Sequence, residues 1–484
     1  MEKTAFELEE TTISEIQEAF KNNQLTSVEL VQAYLDRIDK FDKNGPKINS
    51  VLTINPDALK VAAERDDKRG QEEQGPLYGI PVLLKDNINT KDNMPTTAGV
   101  IALENNYAKE DAPVAAQLRE AGAIILGKVN LSEWAYFMTQ NDVPSGYSGL
   151  GGQVENPYGV GAFEAGSVGG SSSGTGASIA SNFAVVGIGT ETSGSILSPA
   201  SANSIVGIKP TVGLISRTGI IPISASQDTA GPMARTVTDA AITLGALTAV
   251  DEQDPATHRN DKQALTDYTP HLKADGLKGV RIGVDVTFLN DEKPDERAIM
   301  DAAIAVLKAQ GAIIEEITIP VQEFRSDVLW YEFKRGVNEY LSATSEEVPV
   351  KSLADVIAFN KQDPERRMKF GQSELEKSQS LSDDPNDPTY LEHRATDIRT
   401  AATEGIDVAM DKHNLDALLF QNNRGAAMPA KAGYPSITVP AGYTDRGEPV
   451  GVTFSAKAYS EPRLIELAYA YEQATKKRKA PKFD

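Results

Sequence analysis

Residues 166–195 read GSVGGSSSGTGASIASNFAVVGIGTETSGS, thirty positions holding eight glycines, eight serines and one charged side chain, Glu191. Flexible Gly/Ser linkers share this composition. The apolar AVVGIG inside it and the SIVGIKP that follows need burial, however, which a solvated linker does not. The stretch therefore reads as Gly/Ser loops bracketing a buried strand. Gly-rich loops at helix starts also cradle anions. Neither GxxxxGK[ST] nor a GxGxxG after a strand occurs here, so nucleotide binding has little support.

Outward from this segment, short apolar runs alternate with helix-like stretches: Val82–Leu84, the helical Val114–Ala121, Ile124–Leu126, Ala184–Ile188 and Ile205–Ile208. Val280–Val284, a helix over Glu296–Gln310 and Ile313–Ile319 repeat the alternation. Ala417–Phe420, Ser436–Val439, Val450–Phe454 and a closing helix over Pro462–Thr475 complete it. Covered α/β sheets have this pattern. Two capping boxes, Thr12-x-x-Glu15 and Thr26-x-x-Glu29, make the first ~70 residues a helical lead-in. Polar segments at 251–275 and 360–389 lack periodicity and read as surface excursions.

The chain has 484 residues, 40% hydrophobic and 24% charged, so it can bury a large core. At ~150 residues per domain its length suggests about three domains. With 69 acidic against 48 basic side chains and a net charge of −21, it repels nucleic acid and anionic membrane. The one dense basic stretch, 476–482 (KKRKAPK), reads as a solvated helix end. No run approaches the ~18 apolar residues of a membrane span, and the N-terminus lacks a secretory pattern, so a cytoplasmic protein is expected.

Cysteine is absent, which removes disulfides, thiol nucleophiles and cysteine-ligated metals. The four histidines, His258, His271, His393 and His413, sit mostly among polar residues without metal-site spacing, and a surface role is expected for each. Ser172 lies in a formal GxSxG, and a Ser–Asp–His order could be completed with one of them. The preceding GAFEAGSVG nevertheless lacks the apolar strand that a nucleophile elbow needs. A serine nucleophile without histidine calls for another base, and a desolvated lysine is the available kind. Lys85 ends the apolar run in GIPVLLKDN. Burial there would have to lower its pKa from ~10.4 by roughly three units, about 4 kcal/mol; the alternative is an ordinary lysine leaving a strand into solvent.

Together GIPVLLKDN, GGSSSGTGAS, GTETSGSILSPAS and VGIKPTVGLIS resemble the amidase signature enzymes, and the likeness extends to GYPSITVPAG and the last helix. The resemblance implies one α/β domain over 1–484, a mixed central sheet covered by helices on both faces, with a lead-in at about 1–75 and a signature core at about 79–240. It also implies a Ser-Ser-Lys triad of Lys85, Ser171 and Ser195, with a cis bond at Gly170-Ser171. An acyl-enzyme would form on Ser195, with an oxyanion received by backbone N–H groups of Thr192, Ser193, Gly194 and Ser195. No metal or organic cofactor is implied.

Many members have Asp-x-Gly-Gly-Ser-Ile-Arg around the nucleophile, where this chain has Glu191-Thr-Ser-Gly-Ser-Ile-Leu197. With SEWA (132–135), GGQ (151–153) and QDTAGP (227–232), these departures resemble the peptide amidase branch. That branch implies a small-molecule or peptide amide as substrate, taken by a monomer or homodimer. Asp228 is a candidate for shaping the site or for a simple turn before Gly231-Pro232. The pocket is expected from the 134–150 region, the 224–230 turn and a less regular stretch at 325–395. Two alternatives stand beside this reading: the ammonia-generating A component of a tRNA-dependent amidotransferase, and a His-dependent serine hydrolase.

Overall fold

The buried apolar runs pair edge to edge into one mixed sheet. In the computed structural model, which describes residues 6–71, 74–260, 263–290, 293–319 and 325–483, the strands are β1 (Val51–Ile54), β2 (Pro81–Lys85), β3 (Ile124–Val129), β4 (Tyr147–Ser148), β5 (Gly152–Gln153), β6 (Val186–Glu191), β7 (Val206–Lys209), β8 (Thr229–Ala234), β9 (Arg281–Asp285), β10 (Ile313–Ile317), β11 (Ala417–Gln421), β12 (Ser436–Tyr443) and β13 (Pro449–Ser455). All but the small β4–β5 hairpin form an 11-stranded sheet, ordered β1-β3-β2-β6-β8-β7-β12-β13-β11-β9-β10. Residues 1–5 of the N-terminal reading, and 261 and 262 of the polar segment, lie outside the described residues.

β2 pairs in parallel with both β3 and β6, and every residue of these three strands is buried. Strands covered on both faces show such continuous apolar runs rather than alternation. Both capping boxes form: Thr12 and Thr26 accept the N–H of Glu15 and Glu29, whose carboxylates reach back to the cap nitrogens. Each cap contributes about 1 kcal/mol to its helix. Among the described residues no helix is long and apolar enough to cross a membrane.

Three expectations are corrected. The lead-in is not wholly helical, because Val51–Ile54 pairs antiparallel with β3 and forms one edge of the sheet. Its four residues carry too little pattern to be told from a loop. The stretch 325–395, including the supposed excursion 360–389, is largely helical: Val328–Ser342, Leu353–Lys361, Pro364–Arg367, Ser373–Ser380 and Pro388–Ile398. Most of these helices are short, and Val328–Ser342, Leu353–Lys361 and Ser373–Ser380 pack with Trp134 and Phe137 in a second apolar cluster. The basic tail is not a free helix end either. Its helix stops at Thr475, and Arg478 turns back to Glu10 (2.6 Å) and to the carbonyls of Ala180 and Ser204.

Candidate active site

Lys85 and Glu191 are the last residues of β2 and β6, neighbouring parallel strands with Leu84 opposite Ile188. Their carboxyl ends therefore open on the same side of the sheet, where open α/β sheets bind ligands. Ser171 lies just ahead of the helix Ser173–Ala180, after a cis Gly170-Ser171 peptide bond. A side chain at Gly170 would press within 2.6 Å of the Ser132 hydroxyl, which explains the glycine. Ser132, the first residue of SEWA, donates its N–H to the Ser171 carbonyl at 3.1 Å. β8 runs antiparallel to β6 with Thr229 opposite Glu191, so Asp228 arrives at the same end. The turn expected at 224–230 gives way to β8 at Thr229, a strand that the sequence did not show because Gly231 and Pro232 are poor strand formers.

The Lys85 amine is fully buried. Its Nζ lies 2.7 Å from Ser171 Oγ, 2.8 Å from Thr190 Oγ1 and 3.2 Å from the Thr190 carbonyl. Burial brings its pKa down to about 7, against the opposing fields of Asp228 and Glu191. An ordinary lysine leaving a strand into solvent is thereby excluded.

Ser195 occupies the turn between β6 and the helix Leu197–Ala202. Its carbonyl accepts the Ser172 N–H at 3.1 Å, while its hydroxyl has no hydrogen-bond partner among the described residues. Glu191 shapes this turn: its carboxylate accepts the N–H groups of Gly194 (2.6 Å), Ile196 (2.7 Å) and Leu197 (3.0 Å). Gly194, with φ +83°, lets the chain bend there. Its N–H, expected among the oxyanion donors, is already engaged by Glu191, which leaves Thr192, Ser193 and Ser195 as the turn's remaining donors.

Asp228 sits in a turn and also reaches the turn that follows β6. Its carboxylate closes a turn by accepting the N–H groups of Ile223 and Ser224, both at 2.8 Å, and also takes the Thr192 hydroxyl at 2.5 Å. Burial raises its pKa to about 6, opposed by those hydrogen bonds and by Arg217.

Sequence reasoning missed two residues beside the lysine. Thr190 receives it, and Asn87 donates to Thr190 Oγ1 at 2.9 Å. Asn87 lies two positions after Lys85, in the turn that Ile88 N–H closes onto the Lys85 carbonyl, and no local pattern marked it. Ser172 is instead tied into the sheet through the N–H and carbonyl of Thr190. None of the four histidines reaches this end. His258 faces Glu252, His271 faces Glu466, His393 accepts the Asp327 N–H, and His413 gives its carbonyl to Arg281. The histidine alternative is therefore removed.

A cleft of about 950 Å³ opens over Thr190, Thr192 and Asp228. Ala135, the turn around 217–229, the helix Val328–Ser342 and Tyr390 wall it, as anticipated in part. The 106–113 loop, which also lines it, gave no sequence signal.

The profile of the family described as Amidase matches residues 29–465. A probable amidase of Arabidopsis thaliana is 40% identical, covering 99% of this chain and 93% of the plant protein. The crystal structure of native peptide amidase from Stenotrophomonas maltophilia superposes with a TM-score of 0.91 at 44% identity, covering 99% of this chain and all of that one. The A component of the glutamyl-tRNA(Gln) amidotransferase of Thermoanaerobacter pseudethanolicus is more distant, 32% identical over 97% of each chain. The chain belongs to the amidase signature family and is a hydrolase of carbon–nitrogen bonds in linear amides.

Proposed function

We propose that this amidase forms an acyl-enzyme on Ser195, with Ser171 and Lys85 as its proton relay, and releases ammonia from the C-terminal amides of peptides or related amides. The observation that carries the relay is the 2.7 Å contact between Ser171 Oγ and a fully buried lysine held near neutrality. Neutral Lys85 takes the Ser171 proton, Ser171 takes that of Ser195, and Ser195 Oγ bonds to the amide carbon. The N–H groups of Thr192, Ser193 and Ser195 receive the oxyanion. The relay then returns a proton to the departing nitrogen, and water entering by the same route frees the acid and restores Ser195.

The peptide substrate rests on likeness to the Stenotrophomonas peptide amidase and on a cleft at the large end of the range for small-molecule sites. Ser195→Ala should abolish ammonia release from an N-acylated peptide amide, and wild-type turnover in that variant would sink the assignment. Cleavage of small aliphatic or aryl amides alone would sink the substrate. The likeness to the amidotransferase component supports a second reading, in which the chain co-purifies with partner proteins and hydrolyses glutamine. Turnover of peptide amides by the isolated chain counts against it.

A further inference from the structure

A lysine nitrogen has three free corners, and here each faces an oxygen: Ser171 Oγ, Thr190 Oγ1 and the Thr190 carbonyl. The carbonyl can only accept, so its corner must carry an N–H. A neutral amine then has one N–H and one lone pair to divide between two hydroxyls. Only the arrangement that sends the N–H to Thr190 leaves the lone pair facing Ser171, where a base is needed.

Thr190 is placed to enforce that division. Its main chain is clamped by Ser172, whose hydroxyl donates to the Thr190 carbonyl at 3.0 Å and accepts the Thr190 N–H at 3.2 Å. Its side-chain oxygen accepts from Asn87 Nδ2 at 2.9 Å. Asn87 is held in turn, its main-chain carbonyl taking the Ile221 N–H at 2.8 Å. Two oxygens of one residue, both immobilised, thus form a fork under the amine.

We propose that Thr190 is a positioning residue that turns the third corner of the Lys85 amine onto Ser171, with Asn87 holding the Thr190 hydroxyl for that purpose. The assignment rests on the relay proposed above. In the neutral amine this corner holds the lone pair. Once Ser171 gives up its proton the same corner holds the new N–H, so the transfer runs along one line without rotation of the amine. The charged groups acting on Lys85 are Asp228, ahead of β8, and Glu191, at the end of β6; substitution at Thr190 alters neither.

The test measures kcat and kcat/KM against pH for a primary carboxamide with the full chain as wild type, Thr190→Val and Thr190→Ser. Wild-type hydrolysis, and its loss in Ser195→Ala, are established first. A failure of the proposed function then shows there, and a failure of this assignment shows only in the Thr190 variants. Valine keeps the shape and removes the hydroxyl, so the plateau kcat should fall about 10- to 100-fold as the amine loses its orientation. The acid limb should move to lower pH, because the ammonium loses one of three acceptors and hydrogen bonds to a charged donor are the stronger ones. Serine should restore both. An unchanged kcat and limb in Thr190→Val overturns the assignment, and so does a higher kcat, which would mean that the threonine had been donating into the lone pair. Should the valine variant not fold, Asn87→Ala is read in the same way. A smaller fall with the same direction of shift is expected, and no change in either quantity overturns it.

Discussion

Glu191 Oε1 lies 2.6 Å from the Gly194 nitrogen, and the second oxygen of that carboxylate takes the N–H groups of Ile196 and Leu197. One side chain at the end of β6 therefore folds the turn that presents Ser195 and anchors the start of the helix Leu197–Ala202, where a negative charge is favoured. A departure from the family pattern, glutamate for aspartate, is thus seated by its own three donors. Glu191→Ala should cost about 3 kcal/mol, since buried hydrogen bonds to a charged group are lost together and leave N–H groups unpaired. Urea denaturation of the variant against wild type measures it, with ammonia release falling in parallel.

Hydrolysis should follow the protonation of Lys85. Its pKa of about 7 makes the amine the minority form below that pH, so kcat/KM should rise toward a plateau above it. Lys85→Arg keeps the charge but cannot deprotonate. Its activity should drop about 10²- to 10⁴-fold with no recovery toward pH 9. A pH–rate profile of both proteins, with a recovering arginine variant as the contrary result, decides the matter.

Glu133, inside SEWA, is buried and accepts one N–H, that of Gly149 at 3.1 Å. Burial raises its pKa to about 7, opposed by that hydrogen bond. The folded state thus favours the protonated acid, and above the unfolded value of ~4.3 the ionising unfolded chain gains an advantage that grows until the folded group also titrates near 7. Glu133→Gln, which resembles the neutral acid, should be close to wild type in stability at pH 5. At pH 8 it should be more stable by up to about 3 kcal/mol. Denaturation at pH 5, 6.5 and 8 gives the difference, and a gap independent of pH would refute the burial argument.

Glu332 ties the cleft wall to the helices behind it: its carboxylate accepts the hydroxyls of Ser224, Ser226 and Tyr390 and the Ser226 N–H. Glu332→Ala releases the turn that carries Asp228 without touching Lys85 or Ser171. KM for a peptide amide should rise several-fold, about 3- to 10-fold, with a smaller change in kcat, because remote positioning of the substrate is weakened. Steady-state kinetics with a peptide amide and with acetamide should show the larger KM effect for the peptide.

Most of the sheet was legible along the chain because strands buried on both faces, such as Val82–Leu84 in β2 and Ile124–Leu126 in β3, leave uninterrupted apolar runs. β1 and β8 were not. One is four residues at an edge, and the other carries Gly231 and Pro232 and is held as a strand by pairing with β6 and β7 on either side. The helices Val328–Ser342, Leu353–Lys361 and Ser373–Ser380 escaped for a related reason: most are short, and they are buried with Trp134 and Phe137, contacts that no local period records.

The sequence by itself determined the family, through four motifs whose joint spacing few other folds share. It also narrowed the candidate base to lysine, since cysteine is absent and the histidines lie in polar surroundings. Only the tertiary structure decided what surrounds that base. Burial that displaces a pKa, and a threonine brought with an asparagine beneath one amine, depend on distances across β2 and β6. Those strands are remote in the chain and adjacent in the sheet, and a linear pattern encodes which side chains are apolar without encoding which polar ones meet.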